Sequence, residues 1–533
     1  MTAPRALLNV DDKRASLLTR FGPELVAVAL GWWMLLQRRN LLVDDAYISF
    51  RYAANFAQGH GLVWNVGVPV EGYTCLLWVL LLSLFARLGI DLTWPAVLLS
   101  TVFGLGCLQL QRSVMRAAGQ RGVREAWPCL LLACLPSFAH AMTSAMEETC
   151  FAFFVVLAIH LLVLGRATPR RRVWAGAAFA TACLIRPEGP LVAAVALGVE
   201  LFFSGEGTFK ARLRALFPIG CVVALVVLTH TALRYAYYGY PFPNTFYAKV
   251  IFSRVTVERG ATHLANFLLA GGWLMLLGQS ELRRPSTLTP WLIHGYALAV
   301  VYCLYLLTVG GDHPHWFRFY VPLLPLTLIA AAQRTHGWWS RLQLNHWLGA
   351  GVQVVCGSVL WFAGLPFSEA TEPIVGFIEP HIEKLMFDID KFFDAVPRDS
   401  FCAVAAIGHV GYRHLHLHIL DTWGLTDTHI AHMQVAPNAK FGHDKQDLTY
   451  VASMKPDYMY LLAPAPMPVP GYEFCWPTDD PPAVVYRRTF WLTPEDASLG
   501  VPSPRKRFLE PPPTCRPPNF LQPVQSTTQA LPR

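Results

Sequence analysis

Charge is scarce in this chain: only 15% of its 533 residues are Asp, Glu, Lys or Arg, against about 25% in an average globular domain. Several catalytic signatures are absent as well. There is no P-loop, no G-x-G-x-x-G after a strand, no G-x-S-x-G and no H-E-x-x-H. The chain therefore offers neither an ATP motor nor a hydrolytic triad. None of its twelve cysteines forms a C-x-x-C pair, which argues against a zinc ribbon. No internal repeat is visible.

Apolar surface takes the place of charge. Hydrophobic residues make up 54% of the chain, with 17 Trp, 32 Phe and 18 Tyr, and mean hydropathy is +0.36. These values exclude a soluble cytosolic enzyme, a disordered chain and a fibrous repeat, and predict several bilayer spans of about 20 residues. Residues 1–365 hold 29 Lys+Arg against 16 Asp+Glu, a net of +13, whereas residues 366–533 hold 14 against 19, a net of −5. The cut near 365 separates a basic, apolar membrane part from a part of ordinary globular composition. The overall +8 is no sign of nucleic-acid binding, because most basic residues sit in short loops between apolar runs, where they set orientation.

Eleven runs qualify as spans: about 20–36, 95–112, 126–141, 149–165, 173–188, 190–204, 215–234, 262–279, 288–309, 318–333 and 346–364. The first lacks a small-residue cleavage site and precedes Gln37-Arg38-Arg39, so it reads as a retained span. A twelfth run, Cys75 to Ala86, is short for a span. If it lies along the interface, the cytoplasmic side collects 19 basic residues against 10 opposite. If it crosses, the bias reverses, so the positive-inside rule favours the first reading. The N-terminus is then cytoplasmic and the tail extracytoplasmic. The fold class expected is an all-α polytopic membrane domain of about 11 transmembrane helices over residues 1–365, including an outer loop at 37–94. A small α/β periplasmic domain follows at 366–509, with strands at Phe401–Ile407, Tyr458–Leu462 and Ala483–Leu492. A Pro-rich, disordered tail occupies 510–533. Cys475 and Cys515 form a candidate disulfide if that part is extracytoplasmic.

In this topology the unusual polar residues gather on one side. Asp44-Asp45 begins a stretch running through Arg51, Trp64, Glu71 and Tyr73. Adjacent carboxylates suit a general base or a cation or hydroxyl site; alternatively, an Asp there simply caps a helix. Glu147 sits where the chain re-enters lipid, facing either a cavity or solvent. Arg186-Pro187-Glu188-Gly189-Pro190 breaks two short apolar runs, as a polar site or a plain turn would. Arg234, Asn244 and Lys249 stand among Tyr and Phe residues, which fits phosphate and sugar binding or an interfacial aromatic belt. Asp312, His313 and Arg318 follow Gly310-Gly311; Arg318 suits an anionic ligand, or pairs with Asp312. His409, His414, His416 and His418 lack a carboxylate or Cys to complete a zinc pattern.

In order, Asp44-Asp45-Ala46-Tyr47-Ile48-Ser49-Phe50-Arg51-Tyr52, Val70-Glu71-Gly72-Tyr73-Thr74, Arg186-Pro187-Glu188-Gly189, Pro243-Asn244-Thr245 with Lys249, and Gly310-Gly311-Asp312 resemble the GT-C superfamily of integral membrane glycosyltransferases. Within it, the chain is most similar to bacterial arabinofuranosyltransferases, including the terminal β-(1→2) type of the mycobacterial cell wall. The resemblance runs from about residue 20 to 460, taking in Gly424-Leu425-Thr426-Asp427 and Gly442-His443. Cys75 stands where the family usually has Asn or Ser, and Ala145 where it usually has Gly. The resemblance implies a bacterial inner membrane location, a polyprenyl-phosphate-linked sugar as donor and a periplasmic glycan or glycoprotein as acceptor. It implies Asp44 or Asp45 as general base and Glu147 as donor-orienting or base-supporting. Arg186, Arg234, Lys249 and Arg318 would hold phosphate, and Trp64 and Tyr73 would stack on sugar. The acidic cluster has room for a divalent cation without requiring one. A transporter or flippase of lipid-linked glycans is the alternative; it would spread polar residues through the membrane depth or show two related halves. A non-catalytic assembly scaffold is a third reading.

Overall fold

The structure, a computed structural model, describes residues 5–37, 42–205, 207–250, 253–283, 286–311, 317–341, 392–394, 396–434, 445–462, 472–477 and 483–488. Asp312, His313, the run at 346–364, Gly442-His443, Cys515 and the Pro-rich tail lie outside the described residues.

The membrane part is built from α1 (Arg5–Gln37), α2 (Asp44–Ala57), α3 (Leu76–Arg87), α4 (Thr93–Ala117), α5 (Val123–Ala133), α6 (Pro136–Ala141), α7 (Glu148–Leu164), α8 (Pro169–Ile185), α9 (Gly189–Phe203), α10 (Phe209–Tyr238), α11 (Asn244–Lys249), α12 (Arg254–Phe267), α13 (Trp273–Gly278), α14 (Thr289–Val309) and α15 (Leu324–Arg341). Ten of the eleven expected runs fall on these helices. Pro136 divides one of them into α5 and α6. Pro322 tightens the start of another into a 3₁₀ turn, Arg318–Leu323, because proline lacks the N–H that an α-helix needs there. Among the described residues, four stretches are long and apolar enough to cross a bilayer: Thr93–Ala117, Phe209–Tyr238, Arg254–Arg283 and Thr289–Val309. Along α10, Phe217, Leu225, Leu228 and Leu233 are exposed, which suits a helix facing lipid better than one facing water.

The helices alternate between two ends. At one end Thr287 donates to the Ala118 carbonyl, Arg112 pairs with Glu24 and Arg166 with Glu200. At the other end an α/β unit is seated on the segment around α2 and α3 and on α11. It contains β1 (Phe401–Val404), α16 (Ile407–Arg413), β2 (His418–Asp421), α17 (Thr428–His432), α18 (Leu448–Ser453), β3 (Tyr458–Leu462), β4 (Tyr472–Pro477) and β5 (Ala483–Arg488). The sheet order is β2-β1-β3-β5-β4. The pairs β1/β2 and β1/β3 are parallel, whereas β3/β5 and β5/β4 are antiparallel.

Three expectations change here. The strand expected to reach Ile407 stops at Val404, and Ile407 opens α16. Strands β2 and β4 were not expected; both are short and lack a clean alternation. His414, His416 and His418, whose spacing of two would place them on one face of a strand, do not share one: His414 ends α16 and only His418 lies in a strand.

Every residue of β1 is buried, and its two faces meet different partners. Phe401 and Ala403 pack with Ile430, Val451 and Met459 inside the α/β unit. Cys402 and Val404 join Ile419, Tyr458 and Tyr460 in the core shared with the membrane helices. A strand covered on both faces reads as a continuous apolar run, which is why Phe401-Cys402-Ala403-Val404 shows no polar alternation. The segments flanking α3 both touch this unit: Gly72, four residues before it, abuts Thr426, and Leu92, five residues after it, donates its N–H to the Tyr412 hydroxyl at 3.0 Å. At twelve residues, α3 is about 18 Å long.

Candidate functional site

The two adjacent carboxylates that open α2 point to different places. Asp44 accepts the backbone N–H groups of Gly408 (2.9 Å) and His409 (2.8 Å), in the first turn of α16. It acts as a helix cap supplied from 364 residues away, satisfying donors that a helix start leaves without partners. A side chain at Gly408 would collide with the Asp44 backbone, so glycine is what lets the helix come this close. Burial pushes the Asp44 carboxyl up to about 6; the two N–H groups hold it down, and the charge of Asp45 adds to the rise.

Asp45 lies on another surface. Its carboxylate is 2.9 Å from Nη2 of Arg318, and its side chain keeps 26% of its exposure while Arg318 is buried. Nη1 of Arg318 lies 3.1 Å from the Met146 sulfur. Arg318 and Arg186 flank the Phe319 ring, at 5.4 and 4.7 Å from its centroid. Arg186 donates to Glu147 at 2.7 Å and, through Nε and Nη2, to both oxygens of Glu188 at 3.0 and 3.2 Å. Asp45, Arg318, Arg186, Glu147 and Glu188, from four separate stretches of chain, thus form one connected array at the mouth of the helical bundle. The backbone explains this locally. Pro187 and the short turn before α9 free Arg186 and Glu188 from helical packing, and Glu147 is the residue immediately before α7. Ala145 takes a left-handed φ of 63° within this buried segment. L-residues pay about 1–2 kcal/mol for that conformation, which accounts for the glycine usual in the resembling family.

The remaining expected residues take structural positions. Arg51 directs its guanidinium at the carbonyls of Trp64, Gly411 and Leu417, at 2.8, 2.7 and 2.7 Å, and so ties α2 to the α/β unit. Burial lowers it to about 9. Trp64 lies buried beneath Arg51, 4.7 Å from ring centroid to guanidinium, so it offers no face to a sugar. Glu71 and Arg234 form a two-pronged ion pair at 2.5 and 3.2 Å. Tyr73 is buried against Tyr52, with its hydroxyl 3.2 Å from that of Tyr238. The Asn244 amide donates to the carbonyls of Gly424, Leu425 and Asp427. Arg51 and Asn244 thus strap the membrane part to the α/β unit, whereas Glu71 and Tyr73 tie their loop to α10. Lys249 is exposed at the end of α11, apart from the array.

Sequence reasoning did not single out Met146, Phe319, Tyr302 or Glu148. Glu148 accepts from Ser144 at 2.9 Å, and its other oxygen is buried without a hydrogen-bond partner among the described residues. The Tyr302 hydroxyl is likewise buried and unpartnered, within electrostatic reach of Arg186 and Glu188. Glu148 and Phe319 could have been found by adjacency to Glu147 and Arg318. Tyr302, in the middle of an apolar run, carries no sequence signal. Among the described residues no three of His, Cys, Asp and Glu converge to hold a metal. Among the described residues the Arg186 guanidinium bridges Glu147 and Glu188, so these two carboxylates already have a cationic partner, and the mechanism proposed assigns no role to a divalent ion.

Chemically, the array is one partly exposed carboxylate beside two buried guanidinium groups. It suits removal of a proton from a hydroxyl next to an anionic leaving group.

Comparison with known proteins is consistent with this geometry. Residues 381–498 match a domain of unknown function, DUF8728. The terminal β-(1→2)-arabinofuranosyltransferase of Mycobacterium tuberculosis is 26% identical over 397 residues, covering 64% of this chain and 61% of that protein. The enzyme of the same name from Corynebacterium glutamicum is 27% identical over 401 residues, covering 63% and 55%. The chain thus spans less than two thirds of the length of these curated relatives. Among solved structures, ArnT from Cupriavidus metallidurans bound to undecaprenyl phosphate superposes with a TM-score of 0.57 at 14% identity, over 88% of this chain and 97% of that one. The fold is the GT-C fold that the sequence motifs imply.

Proposed function

We propose that this protein is a multi-pass membrane glycosyltransferase that moves a sugar, arabinofuranose by its relatives' names, from a polyprenyl-phosphate donor to an extracytoplasmic glycan or glycoprotein. The observation that carries the reading is the array itself: Asp45 paired to Arg318 at 2.9 Å, with Arg186 held across Phe319 by Glu147 and Glu188. Asp45 takes the proton of the acceptor hydroxyl. The acceptor oxygen bonds to the anomeric carbon as the bond from that carbon to the phosphate oxygen breaks, and the lipid phosphate leaves toward Arg318 and Arg186. Glu147 and Glu188 act by positioning Arg186. The lipid-phosphate donor is supported by the ligand named for ArnT, and the sidedness by the loop charges. Eleven spans, a cytoplasmic N-terminus, an interfacial α3 and an extracytoplasmic α/β domain complete the proposal. With the segments on both sides of α3 touching the α/β unit, a non-crossing α3 is the economical reading.

The test is label transfer from a polyprenyl-phosphate arabinofuranose by the purified full chain. Wild type is expected to transfer, and Asp45→Asn to lose about 10²–10⁴-fold in turnover at unchanged abundance. Transfer by Asp45→Asn at the wild-type rate removes Asp45 as the base. Lipid flipping by the wild type without transfer favours the transporter.

A further inference from the structure

If the proposed reaction holds, the Asp45–Arg318 pair sets a conflict. A carboxylate that must take a proton is bound to a cation that must receive a phosphate, and each needs the other's place. Asp45 keeps a quarter of its side-chain exposure while Arg318 is buried behind it. Arg186, equally buried, is already held by two carboxylates at 2.7 and 3.0 Å. Arg318 begins a 3₁₀ turn preceded by Phe317 in a left-handed conformation, φ 58°. Its other terminal nitrogen faces the Met146 thioether, a weak acceptor that a phosphate oxygen outcompetes.

We propose that Asp45 and Arg318 form a latch. In the empty site Arg318 ties up the base. The donor phosphate displaces Asp45 from Arg318, and only then is Asp45 released toward the acceptor hydroxyl. No bond is made or broken in this step, only an ion-pair exchange. The consequence is ordered action, donor before acceptor, so that the base is not released before a donor is bound. Polyprenyl phosphate and Asp45 compete for one cation, which gives an unusual signature for a catalytic carboxylate: its removal tightens lipid-phosphate binding.

The experiment measures equilibrium binding of undecaprenyl phosphate, with the uncharged polyprenol as control, to the full chain in nanodiscs. The expected result is about tenfold tighter binding by Asp45→Asn and by Asp45→Ser, and at least tenfold weaker binding by Arg318→Gln. The double variant Asp45→Asn/Arg318→Gln is expected to bind as weakly as Arg318→Gln alone. Melting temperatures without lipid verify that each variant is folded, and using two Asp45 variants keeps the comparison available if one is not. Unchanged or weaker binding on removing the Asp45 charge overturns the latch. So does wild-type affinity in Arg318→Gln, or a double variant as tight as the single Asp45 variant. These readouts need no turnover. A failure of the transferase reading shows separately, as absence of label transfer by the wild type.

Discussion

Asp44 and Asp45 are neighbours in sequence but serve different parts of the molecule, and the sequence could not divide them. It offered either a base or a cap for the pair; in the structure Asp44 caps α16 and Asp45 joins the array. The division was illegible because the capped helix lies 364 residues away. Arg186 was legible as a charge at a helix break, and its partner Glu188 stood beside it. Its third member, Glu147, emerges only from packing. A buried arginine bridging two carboxylates is costly to break, because removal strands two charges away from water. Arg186→Gln is therefore expected to destabilise the chain by about 3–5 kcal/mol, measured as a lowered melting temperature in detergent. Adding Glu147→Gln and Glu188→Gln is expected to restore much of that stability while leaving transfer lost. A single variant as stable as wild type contradicts the buried ion-pair network.

At the level of elements, the helices were readable because their apolar runs are long, and the sheet was only half readable because its strands are short. β1 and β3 showed as apolar runs; β2, His418–Asp421, has only two apolar residues between His418 and Asp421. What no local pattern announced is that the outer loop is fastened to this sheet by polar contacts, from Arg51, Asn65 and Asn244 to backbone carbonyls. The fastening has a pH signature. Burial raises Asp44 to about 6 and Asp421, which accepts the N–H groups of Trp423 and Thr426, also to about 6. A carboxyl with a raised folded pKa holds its proton in the native state after the unfolded chain has lost it. Its contribution to stability is complete below the unfolded value near 3.8 and is lost as pH rises through 6. The wild type is accordingly expected to lose stability against Asp44→Asn between pH 4 and pH 6, by roughly 3 kcal/mol, and to run parallel to it above pH 7. Melting temperatures of both proteins across that range decide it. A difference that is flat, or that grows with pH, removes burial as the dominant influence on Asp44.

Across the whole molecule, two independent signals agree. By the positive-inside rule, basic residues in short loops predict a cytoplasmic position for one end of the bundle, and ionisable groups from distant segments collect at the other end beside the α/β unit. Neither signal uses the other, so their agreement is the strongest reason to treat the outer end as the working face. The crossing status of α3 is where this agreement can fail, since a crossing α3 would put the segments before and after it on opposite sides. Val66 precedes α3, Leu88 follows it, and both are exposed; Arg121 is exposed in the loop at the opposite end. Single cysteines at these positions are treated, in intact cells, with a membrane-impermeant maleimide, and the wild type run in parallel accounts for native cysteines. Val66→Cys and Leu88→Cys are both expected to react from outside, and Arg121→Cys only after the membrane is opened. If Leu88→Cys is protected while Arg121→Cys reacts together with Val66→Cys, then α3 crosses, every later loop changes sides, and Asp45 no longer shares a compartment with the loop after α8 and its Arg186.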